Sequence, residues 1–146
     1  VIIENRPPNF EQIHAVFPQA DAPGVLFAYD GAVYNPSGYP VPPALMAHEE
    51  VHLTRQQALN PTPLAVTRWV GADLWWARYL EDSEFRYYEE LLAHAAEFKM
   101  LRYEDRNSGA ALLMRTALRL TAPLYKYDPQ PSLQQALKDL RREIAK

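Results

Sequence analysis

Between Ala44 and His52 the chain reads ALMAHEEVH, which sets two of its four histidines four residues apart around a pair of glutamates. On a helix advancing about 100° per residue, His48 and His52 stand about 40° apart with Cβ atoms about 6 Å apart, so both rings can reach one small cation. A fold built on this stretch must bury the histidine face of that helix and bring a further ligand from another element. The same rotation leaves Glu49 about 60° from His52, close enough to reach a water beside the ion, and turns Glu50 about 160° away toward solvent. Random placement of the chain's His and Glu residues yields roughly 0.01 strings of this pattern, so chance is a weak explanation for it.

The flanking sequence sets the limits of that helix. NPSGYPVPP, residues 35–43, is a loop by its Pro and Gly content, and its last prolines suit a first helical turn. The helix runs from about Pro43 to Leu59 and stops at Asn60-Pro61. Upstream, a short helix over Asn9 to Val16 ends at Pro18, and GVLFAYDGAVY, residues 24–34, reads as two strands around an Asp30-Gly31 hairpin turn. Downstream, helices are expected from about Leu64 to Leu80, from an Asp82 or Ser83 cap to about Tyr103, from an Asn107-Ser108 cap through Leu120, and from Ser132 to the end. The fold class is therefore α+β and mostly α-helical, with a small N-terminal antiparallel hairpin. Residues 1–126 form one metal-binding domain on this reading, and 127–146 a linker and charged helix.

At 146 residues and 48% hydrophobic, the chain is long enough to bury a core as a single domain. A net charge of -3 with scattered Lys and Arg gives no reason to expect a nucleic acid or an anionic membrane as partner. Val1-Ile2-Ile3 meets Pro7-Pro8 too soon to serve as a secretory or membrane-spanning run, so a cytoplasmic site is expected.

With no cysteine in the chain, a metal site must draw on His and carboxylates. Zinc suits such donors, and a third ligand is needed. On the helix carrying FRYYEELLAHAAEF, residues 85–98, the side chains of Arg86, Tyr87, His94 and Glu97 fall within about 60° of Glu90, while Glu89 lies on another face. Glu90 thus centres a titratable stripe and is the expected third ligand, beside His48 and His52.

ALMAHEEVH followed by Glu90-Leu91-Leu92-Ala93-His94 resembles the gluzincin metallopeptidases, whose third zinc ligand is a Glu in an E-x-x-x-D type motif on a downstream helix. Here His94 stands where that family has an Asp that braces a zinc-binding histidine. The longer string from HEEVHLTRQQ through WWARYLEDSEFRYYEELLAH is also similar to small phage and prophage proteins of zincin type, over roughly residues 10–125. The resemblance implies a zincin-like helical core and hydrolysis of a peptide or protein substrate by a zinc-bound water that Glu49 activates.

Other residues enter this expectation with lesser roles. Tyr87 and Tyr39 are candidates to stabilise a developing oxyanion, Trp75 and Trp76 are core residues first, and Arg55 pairs with Glu90 or another acid. The hairpin would offer an edge strand to an extended peptide. The rival expectation is a zinc-stabilised phage structural or interaction module, in which the metal fastens two helices and nothing turns over. An open coordination position separates the two, since a structural zinc is closed by a fourth protein ligand.

Overall fold

The computed structural model describes residues 1–61, 68–105 and 109–146. Its strands are β1 (Ile2–Ile3), β2 (Phe27–Tyr29) and β3 (Ala32–Tyr34), and its α-helices are α1 (Phe10–Val16), α2 (Pro43–Ala58), α3 (Arg68–Glu81), α4 (Ser83–Glu104), α5 (Gly109–Leu120) and α6 (Leu133–Ile144). Short 3-10 turns occupy Pro18–Asp21 and Pro123–Tyr125. The expected helix start at Leu64 and the Asn107-Ser108 cap lie outside the described residues.

The hairpin forms where Asp30-Gly31 places it. Both residues take positive φ, 47° and 80°, as a two-residue turn matched to strand twist requires. Strand β3 lies between the other two, antiparallel to β2 and parallel to β1. The outer edge of β2 is not open to a peptide at its centre. The Ala28 carbonyl accepts from Gln56 Nε2 on α2 and from Trp76 Nε1 on α3, both at 2.8 Å, so the helices occupy the edge that a peptide would have used.

Helix α2 opens on Pro43, whose missing N–H would have been unpaired at that position in any case. Helix α4 is capped by Asp82, which accepts from the Phe85 N–H at 3.1 Å, and α6 by Ser132, which accepts from Gln135 at 3.0 Å. Asn60 closes the end of α2, its backbone N–H donating to the Gln57 carbonyl at 3.1 Å. Its Oδ1 also accepts from the Gly71 N–H at 2.7 Å. A Cβ on Gly71 would fall well inside contact distance of the Gln56 carbonyl oxygen, so glycine is what lets α3 cross the end of α2 so closely.

Two apolar clusters flank the centre of the molecule. One joins α1, the hairpin and α3 through Phe10, Ile13, Phe17, Phe27, Trp75, Trp76 and Tyr79; Trp75 and Trp76 are both buried. The other joins α4, α5 and α6 through Leu91, Ala95, Leu120, Ala136 and Leu140. Helix α6 is therefore not a detached tail. Leu133, Ala136, Leu137, Leu140 and Ile144 recur at helical spacing and lay one apolar stripe on α4 and α5, with Asp139 and Glu143 buried beside it. Among the described residues, no helix is long and apolar enough to cross a membrane.

Candidate metal centre

Helices α2 and α4 make the most extensive helix contact in the fold. They run antiparallel, because His48 meets Glu97, His52 meets Glu90 and Arg55 meets Glu89 in order. What these two helices bury is unusual for a core. The buried residues of α2 are Ala44, His48, Glu49, His52 and Gln56, and those of α4 include Arg86, Glu89, Glu90, His94 and Glu97. Burying so many titratable groups is costly unless each is paired or serves a ligand.

Glu90, 3% exposed, is the hub. Its Oε2 lies 3.2 Å from His48 Nε2 and 3.7 Å from His94 Nε2, and its Oε1 lies 3.4 Å from His52 Nε2. The Tyr79 hydroxyl donates to Oε1 at 2.6 Å. One ligand atom from each of His48, Glu90 and His94 can be chosen so that all lie within 4.8 Å of one another. The structure therefore brings together His48, His52 and Glu90 as expected from the sequence, and adds His94.

Behind these rings stands Glu97. Its Oε2 sits 3.2 Å from Nδ1 of His48 and 3.1 Å from Nδ1 of His94, and its Oε1 is ion-paired with Arg119 of α5. A single carboxylate oxygen thus fixes two imidazoles and leaves both Nε2 atoms facing Glu90, which is the usual way a protein orients histidines toward a cation. The bracing acid that the sequence pattern lacked at position 94 is supplied three residues later. By contrast, Nδ1 of His52 is buried without a hydrogen-bond partner among the described residues.

The electrostatics follow from this arrangement. Burial opposes charge on His48, but the carboxylates of Glu90 and Glu97 beside its two ring nitrogens outweigh it and push its pKa up to about 10. Burial likewise disfavours the carboxylates, yet the neighbouring His52 and His48 hold Glu90 well below the usual range, and bonds to His48 and His94 do the same for Glu97. His94 moves the other way, lowered by burial first and by the charge of His48. A neutral His94 that donates from Nδ1 keeps a lone pair on Nε2, where the Tyr125 hydroxyl donates at 3.1 Å.

These residues fit a cation. Glu90 Oε2 is buried and makes no well-aligned hydrogen bond to a described residue, although the Nε2 atoms of His48 and His94 approach it on two sides; a metal ion among them would satisfy that oxygen and the imidazole nitrogens together. The buried group can hold a metal ion.

A partly enclosed cavity of about 360 Å³ opens onto the cluster. Its walls are mainly apolar, and His48, Glu49, His52, Glu90, His94 and Tyr125 line its polar side. Glu49 is 7% exposed and has no hydrogen bond or ion pair to a described residue. Burial raises its pKa, with the nearby histidines opposing. Glu50 is exposed, as the helical rotation requires.

Two expectations need correction. Tyr87 does not line the cavity, because its hydroxyl donates to Asp139 of α6 at 2.8 Å and its ring packs edge-on against Tyr127. The phenols at the site are Tyr79 and Tyr125, from α3 and from the turn after α5. Arg55 does pair with an acid, which is Glu89, by Nε at 3.0 and 3.2 Å, and leaves Glu90 to the histidines. Tyr39 is exposed and lies outside the cavity lining. No family model, curated protein or solved structure matches the chain.

Proposed function

We propose that the protein is a zinc-dependent metallopeptidase whose ligand set departs from the gluzincin pattern its sequence resembles: zinc is held by His48, Glu90 and His94, with the second histidine of the motif, His52, beside the same carboxylate. Imidazole nitrogens and one carboxylate are donors that zinc accepts readily, and no thiolate competes for the ion. When bound, zinc supplies a Lewis acid that polarises the peptide carbonyl and acidifies water. The remaining chemistry belongs to Glu49. It takes a proton from the water that attacks the carbonyl carbon, then returns that proton to the amine nitrogen as the C–N bond breaks.

The observation that carries this reading is Glu49 itself, a buried carboxyl with no hydrogen bond or ion pair to a described residue, on the wall of a cavity that also exposes the cation cluster. Burial raises its pKa, and a carboxylate so desolvated takes up a proton more readily than a solvated one. The cavity's apolar walls favour a substrate that presents an apolar side chain beside the bond to be cut. The test is turnover of a peptide library by zinc-loaded wild type, by Glu49→Gln and by a chelated control. Glu49→Gln should keep zinc while turnover falls by roughly 10²- to 10⁴-fold. Undiminished turnover in Glu49→Gln removes the proposed base.

A second reading, a zinc-fastened phage structural or interaction module without turnover, is favoured by His52. Its Nε2 lies 3.4 Å from Glu90 Oε1 and offers a fourth protein donor that would close a tetrahedral ion. Four protein ligands on zinc, with wild type inert on peptides and unfolded proteins, would establish this reading instead.

A further inference from the structure

We infer that Tyr125 is the catalytic phenol of this site, donating its hydroxyl to the oxygen of the carbonyl under attack, and that Arg86 is the residue that positions it. The inference rests on the metal centre and cavity described above and extends the peptidase reading to a residue that the sequence pattern does not mark.

Tyr125 comes from outside both metal-bearing helices. It ends the 3-10 turn Pro123–Tyr125, and its hydroxyl reaches 3.1 Å from Nε2 of His94 while its side chain lines the same cavity as Glu49. A cation taking the His94 lone pair would displace that hydrogen bond. The hydroxyl stays at the cavity wall beside Glu90; with that carboxylate on the cation, the hydroxyl would turn to an oxygen of the bound substrate, and donors fixed beforehand at such a place stabilise charge as it develops. Tyr79, the other phenol, already donates to Glu90 Oε1 at 2.6 Å. That makes it part of the ligand's support.

What fixes Tyr125 is a buried guanidinium. Arg86 is 4% exposed and forms no ion pair with a described residue. Its Nε donates to the Tyr125 carbonyl at 2.7 Å and its Nη2 to the Lys126 carbonyl at 3.0 Å. Its Nη1 donates to the Tyr79 carbonyl near the end of α3, where unpaired carbonyls and the helix dipole favour a cation. Lys126 takes a left-handed conformation, φ 54°, which turns the chain sharply right after Tyr125. The ring of Tyr125 stacks on Tyr127 with centroids 5.4 Å apart. Backbone and ring are thus held together, and the planar fork of an arginine is what reaches several carbonyls at once.

The test uses full-length Co²⁺-loaded protein and phenylphosphonate, a tetrahedral oxyanion with an apolar group, titrated by calorimetry and by the cobalt absorption bands. Tyr125→Phe should hold Co²⁺ within about threefold of wild type and bind phenylphosphonate about 10- to 100-fold more weakly, the loss expected for one hydrogen bond to a charged group. Arg86→Lys should show the same pattern to a smaller degree, with far-UV circular dichroism reporting that it is folded. Unchanged phenylphosphonate affinity in Tyr125→Phe overturns the inference, as does loss of Co²⁺ in that variant, which would make Tyr125 a ligand, and as does a wild type that does not bind phenylphosphonate. If phenylphosphonate binding depends on Tyr125 but no peptide is cut, the peptidase reading fails and the assignment of Tyr125 as the oxyanion donor stands.

Discussion

Replacing Glu97 by Gln keeps the shape of the side chain and removes its charge, and the geometry gives the consequence. In the native site Oε2 accepts from Nδ1 of both His48 and His94 while Oε1 faces Arg119. A glutamine can satisfy only one side. With its oxygen toward the histidines, its NH₂ group meets the Arg119 guanidinium donor to donor. With its NH₂ toward the histidines, both Nδ1–H groups lose their acceptor, and the rings are free to turn or change tautomer. Losing one outer acceptor of a metal-binding histidine typically costs about 10- to 100-fold in metal affinity. Because one carboxylate here serves two rings, Glu97→Gln should reach about 100-fold, which is about 2.7 kcal/mol. The assay is competition for Zn²⁺ against a chelator of known affinity, with circular dichroism to show that the variant is folded. A folded Glu97→Gln that binds Zn²⁺ within about twofold of wild type would refute the claim that this carboxylate organises the site.

Two further outcomes follow from the same geometry. In the metal-free protein His48 has its pKa raised to about 10, so its interactions stabilise the fold fully below its unfolded value of about 6.5 and are lost as pH rises through about 10. A cation at Nε2 must expel that proton. Zn²⁺ binding at pH 7.5 should release about one proton per chain and tighten as pH rises, measurable as the dependence of calorimetric heat on buffer ionisation; binding without proton release would contradict it. Gly71→Ala forces α2 and α3 apart at the Gln56 carbonyl, and should lower stability by about 1–3 kcal/mol and Tm by roughly 3–10 °C without changing metal stoichiometry.

The local chemistry of the site was legible in the sequence, and its tertiary completion was not. The i, i+4 spacing of His48 and His52, the inward turn of Glu49, the outward turn of Glu50 and the centring of Glu90 all follow from helical rotation, and the structure places each accordingly. The same rotation put Tyr87, His94 and Glu97 in one stripe but could not say which neighbour each would meet. Helix α4 is packed against α2, α3, α5 and α6. Tyr87 falls in the sector taken by α6, whereas His94 and Glu97 fall in the sector shared by α2 and α5. Arg119 and Tyr125 come from beyond a further helix and turn, at separations in sequence where no periodicity links them to the motif. Position 94 carried a usable signal: a histidine where an acid was expected, with Glu97 one turn later to take over the acid's task.

X-ray diffraction from zinc-soaked crystals at the zinc absorption edge tests the cation centre on His48, Glu90 and His94 most directly. One anomalous peak per chain is expected, within about 2.0–2.2 Å of Nε2 of His48, Nε2 of His94 and a carboxylate oxygen of Glu90, with both Nδ1 atoms still on Glu97 and the Tyr125 hydroxyl released from His94. No peak between α2 and α4, or a peak on His48, His52 and Glu90 with His94 still bonded to Tyr125, would contradict it.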